Sequence, residues 1–207
     1  MQIAPIRENI LQLIRAIEHI TNTPDNNLQQ QTIKILQANP ENYKSALLIR
    51  QAVFETKKQI VSDIFTAIEK QAKIKANLTK IDNEHEHSPK TNTFLGISFL
   101  CKTASELHKK YDLHVRIEYN LKSFYIGYVY NRTPDAHFDW TSDECKTILN
   151  TTLTRWNNFI HWEYLPIKNN KILLDDYLFA DLLDQTVFMA FIDQCVKKIS
   201  DLIKAVR

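Results

Sequence analysis

The chain has 207 residues, is 44% hydrophobic and 24% charged, and carries 26 Lys and Arg against 24 Asp and Glu, a formal net charge of +2. That composition suits one domain or two small ones built on an apolar core, and the charge balance implies no obligatory polyanion partner. Gly96 and Gly127 are the only glycines, which excludes a P-loop and a dinucleotide-binding turn, since each needs several glycines close together.

Residues 1–80 read as helices. Pro5 suits a first helical turn, and Ile10, Leu13, Ile14 and Ile17 follow at helical spacing. Thr21 to Asp25 breaks this helix. A second one starts near Asp25 and carries Leu28, Ile33, Ile35 and Leu36, and Asn39-Pro40 ends it. A long third helix is predicted from Pro40 to Ile74. Val53, Ile60, Ala67 and Ile74 recur every seven residues, and Phe54, Val61 and Ile68 do the same one position later. A stripe on so long a helix is expected to exceed what its own chain covers, so Val53, Ile60 and Ala67 are candidate partner-binding residues, with a homodimer as one candidate assembly.

Residues 81–92 are polar and turn-prone and read as a linker, so the expected organisation is a helical arm (1–80), a linker (81–92) and an α+β domain (93–207). In that domain Phe94–Leu100 is rich in strand formers and Thr103–Tyr111 suits a short helix. Leu113–Tyr119 alternates apolar and polar residues as a half-buried strand does, and Phe124–Tyr130 completes an antiparallel hairpin. Thr141-Ser142-Asp143-Glu144 is a capping box announcing a helix. Arg155–Leu165 is aromatic-rich, and Leu174–Arg207 should form two helices, the last with Phe188, Phe191, Ile192, Cys195, Val196, Ile199, Leu202, Ile203 and Val206 on one face. The fold class is therefore α+β, a small antiparallel sheet packed on helices.

Candidate chemistry is sparse. Pro134-Asp135 followed by Glu144-Cys145-Lys146 spells the PD…ExK string of metal-dependent nucleases. That chemistry needs Glu and Lys on one face of a strand, whereas here they open a helix, where residues two apart diverge. The string is read as a false match, with no catalytic residue assigned. His85-Glu86-His87 sits in the linker without further ligands nearby, so no metal site and no cofactor are expected. Cys101, Cys145 and Cys195 fit neither a disulfide framework nor a zinc site and are expected to be reduced. Trp140, Arg155, Trp156 and Trp162, with Phe159 and Tyr164, suit a protein interface, plain core or base stacking beside Arg132. Six lysines lie between Lys57 and Lys80; Lys70, Lys73, Lys75, Lys80 and Arg132 are the candidate nucleic-acid contacts. From Asp175 to Asp193 there are five aspartates and no Lys or Arg. Asp175, Asp176, Asp181 and Asp184 could meet a basic surface on a partner. No stretch reaches 18 consecutive apolar residues and the first residues lack a signal-peptide pattern, so no membrane span is predicted and the expected location is cytoplasmic.

Leu36-Gln37-Ala38-Asn39-Pro40-Glu41-Asn42-Tyr43-Lys44-Ser45-Ala46, followed by Lys57-Lys58-Gln59-Ile60, resembles a segment C-terminal to the catalytic core in bacterial PD-(D/E)XK nuclease superfamily proteins, of the kind encoded near phage-defence genes. Phe124-Tyr125-Ile126-Gly127-Tyr128, the aromatic segment Trp156–Tyr164 and the terminal amphipathic helix are similar too. The resemblance implies the family's C-terminal region with the nuclease core absent, so no catalytic residue carries over. The expected function is a non-catalytic protein-interaction module in phage–host conflict, a subunit or inhibitor of a nuclease or other defence complex. The alternatives are a nucleic-acid-binding subunit and an enzyme of unrecognised type.

Overall fold

A computed structural model describes residues 28–78, 80–83, 95–120, 122–130, 140–154, 159–168, 171–172 and 176–207. The helix expected over the first twenty residues lies outside them. The chain divides into two compact units that meet in sequence at Lys58 and Gln59.

The first unit holds α1 (Leu28–Ala38) and the start of α2 (Pro40–Ala76). The chain turns between them because Asn39 caps α2, its Oδ1 accepting from Asn42 N at 2.8 Å, while Pro40 supplies a first-turn φ and loses no helical hydrogen bond. Asn42 also donates its Nδ2 to the Ile35 carbonyl at 2.9 Å, tying the two helices at the corner. Asn77, in the left-handed conformation at φ 52°, ends α2.

The second unit is α+β, as the sequence predicts. β1 (Lys80–Asn83), β2 (Leu95–Lys102), β3 (Leu113–Tyr119), β4 (Phe124–Tyr130) and β5 (Phe159–Tyr164) form one antiparallel sheet in sequential order. Short helices α3 (Ala104–Leu107) and α4 (Ser142–Thr147) interrupt the meander. A small ribbon, β6 (Pro166–Lys168) with β7 (Lys171–Ile172), leads to α5 (Asp176–Asp181) and α6 (Gln185–Ala205). Residues 59–76 of α2 belong with this sheet, and β1 occupies the start of the expected linker, so the compact division falls earlier than residues 81–92.

One face of the sheet makes the main core. Ile97, Phe99, Val115, Ile117, Tyr119, Phe124, Ile126 and Tyr128 meet Ile64, Phe65 and Ile68 of α2 and Phe191, Ile192, Cys195 and Ile199 of α6. Phe124 is the hub. Its ring lies 6.1 Å from Phe65, 5.4 Å from Phe191 and 4.8 Å from Tyr119, in edge or tilted geometries that favour aromatic pairs.

Candidate functional site

The opposite sheet face departs from the sequence reading. Alternation predicted that His114, Arg116 and Glu118 would face water, yet all seven residues of β3 are buried. Burial of a charge is tolerable only when it is paired and hydrogen-bonded. Here Arg116 Nε donates to Glu118 Oε2 at 2.8 Å, Arg116 Nη1 donates to Ser98 Oγ at 3.0 Å, and the Tyr125 hydroxyl donates to Glu118 Oε1. Burial, reinforced by the Glu118 carboxylate, pushes the Tyr125 phenol well above its ordinary range. Tyr125 is thus a fixed donor to Glu118.

Gly96 makes room for this network, and Gly127 makes room for the backbone of β5. Gly96 pairs with Glu118 across β2 and β3, and Gly127 pairs with Arg116 across β3 and β4. A Cβ on Gly96 would stand 2.6 Å from the Ile117 carbonyl oxygen and 2.9 Å from Arg116 Nη2. A Cβ on Gly127 would stand 1.9 Å from the His161 carbonyl oxygen, inside the backbone of β5. Neither glycine has positive φ, so close approach, not conformation, demands them.

The nuclease-like string takes a different form. Thr141 Oγ1 accepts from Glu144 N at 3.2 Å, and Glu144 Oε2 accepts from Thr141 N at 2.8 Å and from Thr141 Oγ1 at 3.0 Å. Lys109 Nζ donates to Glu144 Oε1 at 2.6 Å and stands 5.1 Å over the Trp140 ring. The Lys109 donor, with Thr141 behind it, holds the Glu144 carboxyl below its ordinary 4.5. Both carboxylate oxygens are engaged by protein donors, and Lys146 diverges from Glu144 around the helix. Asp135 and the His85–His87 segment lie outside the described residues. Among the described residues no group of three His, Cys, Asp or Glu side chains is placed to hold a metal ion, and no helix is long and apolar enough to cross a membrane.

The aromatic candidates separate. Trp140 is buried in the main core, whereas Phe159 joins Tyr125 and Val129 in a second cluster with Trp162 packed against it. Tyr164 meets Trp162 edge-on at 5.1 Å and is exposed. Arg132, Arg155, Trp156 and Asp175 lie outside the described residues. Asp176 begins α5, Asp181 ends it, and Asp184 caps α6 by accepting from Thr186 N at 2.7 Å and Val187 N at 3.3 Å. Asp193 pairs with Lys75 at 2.7 Å. Lys70 and Lys73 are exposed on α2, and Lys80 opens β1. Cys101, Cys145 and Cys195 are free thiols.

The predicted stripe on α2 also divides. Ile60 is in the main core, Ala67 packs against it, and Val53 and Ile74 are exposed. Exposed apolar residues concentrate in the N-terminal half of α2, of which the sequence reading singled out Val53 and Phe54 but not Tyr43, Leu47 or Leu48. Ile33 of α1 and Tyr43, Leu47, Leu48, Val53 and Phe54 of α2 are each 44–57% exposed, and every residue from 50 to 56 is exposed. Polar neighbours on the helix brace each other, with Glu41–Lys44 at 2.7 Å, Glu55–Lys58 at 3.1 Å and Gln51–Glu55 at 2.8 Å. Such pairs stabilise a bare helix by only tenths of a kcal/mol each, ~0.3–0.5. The signal for this surface was the seven-residue repeat of Phe54, Val61 and Ile68, which begins one repeat earlier at Leu47.

Comparison with family models, with curated proteins and with solved structures finds no match to this chain.

Proposed function

We propose that this chain is a non-catalytic protein-interaction module acting in phage–host conflict, as a subunit or inhibitor of a nuclease or other defence complex. The observation that carries the interaction role is the exposed apolar surface at residues 43–54 of α2. Isolated surface apolar residues are ordinary, but five large ones within four turns of one helix are the mark of a binding surface. The commitment of Glu144 to a helix cap, and of Arg116, Glu118 and Tyr125 to one another, leaves those groups engaged as structural elements. The phage–host setting rests on the resemblance of residues 36–68 to the C-terminal region of PD-(D/E)XK nuclease proteins.

The test is affinity purification of the tagged chain from its native host, beside a Leu47→Ala/Phe54→Ala variant whose thermal unfolding matches the parent. A stoichiometric protein partner lost with the variant supports the reading, with truncation of a true anchor costing about 2 kcal/mol or more. Tight nucleic-acid binding at physiological salt, weakened by Lys70→Ala/Lys73→Ala and without a protein partner, would replace it with the nucleic-acid reading. Mg²⁺-dependent cleavage abolished by Glu144→Ala and Lys146→Ala would replace it with an enzyme.

A further inference from the structure

The exposed surface on α2 is one half of a longer seam. Leu47, Phe54, Val61 and Ile68 recur every seven residues, and Tyr43, Arg50, Lys57 and Ile64 fall between them at the complementary three- and four-residue steps. Those are the a and d positions of a heptad, which share one stripe of a helix. Val61, Ile64 and Ile68 lie in the main core at 1%, 0% and 0% exposure, while Tyr43, Leu47, Arg50 and Phe54 are exposed. The same knobs that pack into the sheet at the C-terminal half of the helix are thus bare at its N-terminal half.

We infer that the row Tyr43–Leu47–Arg50–Phe54 docks an amphipathic helix of another protein that presents an acidic side chain to Arg50. The inference rests on the interaction reading above and names the partner's chemistry. Apolar anchors at i, i+4 and i+11 with one polar position between them are the pattern of helix-on-helix recognition. Arg50 is the charge on the exposed row nearest its centre, since Lys58, 4.5 Å over the Phe54 ring, is already paired with Glu55. The acids of this part of α2 stand off the row and are already held, Glu41 by Lys44 and Glu55 by Lys58 and Gln51. A second copy laid parallel and in register would set Arg50 against Arg50. A copy laid antiparallel would bring Tyr43, Leu47 and Phe54 but no acid. No acid among the described residues 28–58 lies on the row, so the counter-charge is assigned to a different chain, where it also sets the register of the docked helix, as polar a and d residues do in coiled coils.

The test is selection from a displayed library of helical peptides, about three heptads long, with apolar a and d positions and Glu, Lys or Gln randomised beside them. The full chain and its Arg50→Glu variant are the two baits. Arg50 is exposed, so the variant is expected to fold with an unchanged thermal transition. The parent should enrich Glu at one position and Arg50→Glu should enrich Lys there. The best Glu peptide should lose about tenfold in affinity on Arg50→Glu, and binding should weaken with salt. Selection without a charge preference, affinity indifferent to Arg50→Glu, or no binder at all overturns the inference. So does reversible dimerisation of the chain by sedimentation that Phe54→Ala abolishes, because a second copy then fills the row. A native partner that crosslinks at Leu47 or Phe54 while no acidic preference emerges would leave the interaction reading standing and this inference refuted.

Discussion

Arg116 and Glu118 show how much one buried pair can decide. Removing Glu118 takes away the carboxylate that Arg116 and Tyr125 both bond under a sheet face, so Glu118→Ala should cost about 3–5 kcal/mol, read as a fall in the urea midpoint. Replacing both, as Arg116→Met with Glu118→Leu, should cost far less than the sum of the single changes, which a double-mutant cycle measures. Cys101 supplies an alkaline counterpart. Burial pushes its thiol from an ordinary 9.0 up to about 12. The folded state therefore keeps a proton that the unfolded chain releases. Its contribution is present in full below pH 9.0 and is lost as pH rises toward 12, so Cys101→Ala should flatten the decline of stability across that interval. The alternation of Leu113–Tyr119 was legible in the sequence, and with it the strand. The burial of its polar half was not, because Ser98 and Tyr125, which satisfy it, come from other strands, and their pairing with Arg116 and Glu118 is a tertiary fact.

Elements whose signals are local were read well. Asn39-Pro40, the long apolar period of α2, the hairpin β3–β4 and the capping box at Thr141–Glu144 all stand where the residues place them. β1 was not legible, since Lys80-Ile81-Asp82-Asn83 has little strand preference of its own and becomes a strand by pairing with β2. The exposed row on α2 was half legible: its period was visible, but which half of it the sheet covers is decided by the fold. The capping boxes carry a pH prediction. Thr103 donors hold the Glu106 carboxyl below its ordinary 4.5, as Lys109 and Thr141 hold Glu144. A depressed folded value means that the contribution is present above pH 4.5 and is lost as pH falls through the folded value. Thr141→Ala should cost about 1 kcal/mol at neutral pH and reduce the acid sensitivity, both measurable by urea titration. Gly127→Ala should be far more damaging than a surface glycine change, about 3 kcal/mol or more, because the β5 backbone must retreat from the new methyl.

At the scale of the whole chain, the buried apolar residues described all lie at Ile60 or beyond. The division at Lys58 and Gln59 therefore sets a concrete expectation: residues 59–207 alone should retain a cooperative thermal transition. Circular dichroism of that fragment checks it, and a non-cooperative melt would refute it. The same fragment lacks Tyr43, Leu47, Arg50 and Phe54, so it should fold and yet fail to bind any partner that uses them. That outcome would separate the part of the chain that makes the fold from the part that offers the surface.

The placement of the two glycines bears on misfolding. A hairpin that slips by one residue throws its apolar side chains onto the wrong face, and the alternation itself punishes the error. A slip by two keeps every side chain on its proper face, and alternation is blind to it. Between β4 and β5 such a slip would set Tyr125 or Val129 against Trp162 in place of Gly127, where a Cβ at Gly127 would already stand 1.9 Å from the His161 carbonyl oxygen. On the other flank, a slip between β2 and β3 would take Glu118 from Gly96 and Arg116 from Ser98. Two residues without side chains thus act as a proofreading step for strand assembly. They penalise the near-native pairings that hydrophobic sorting would accept.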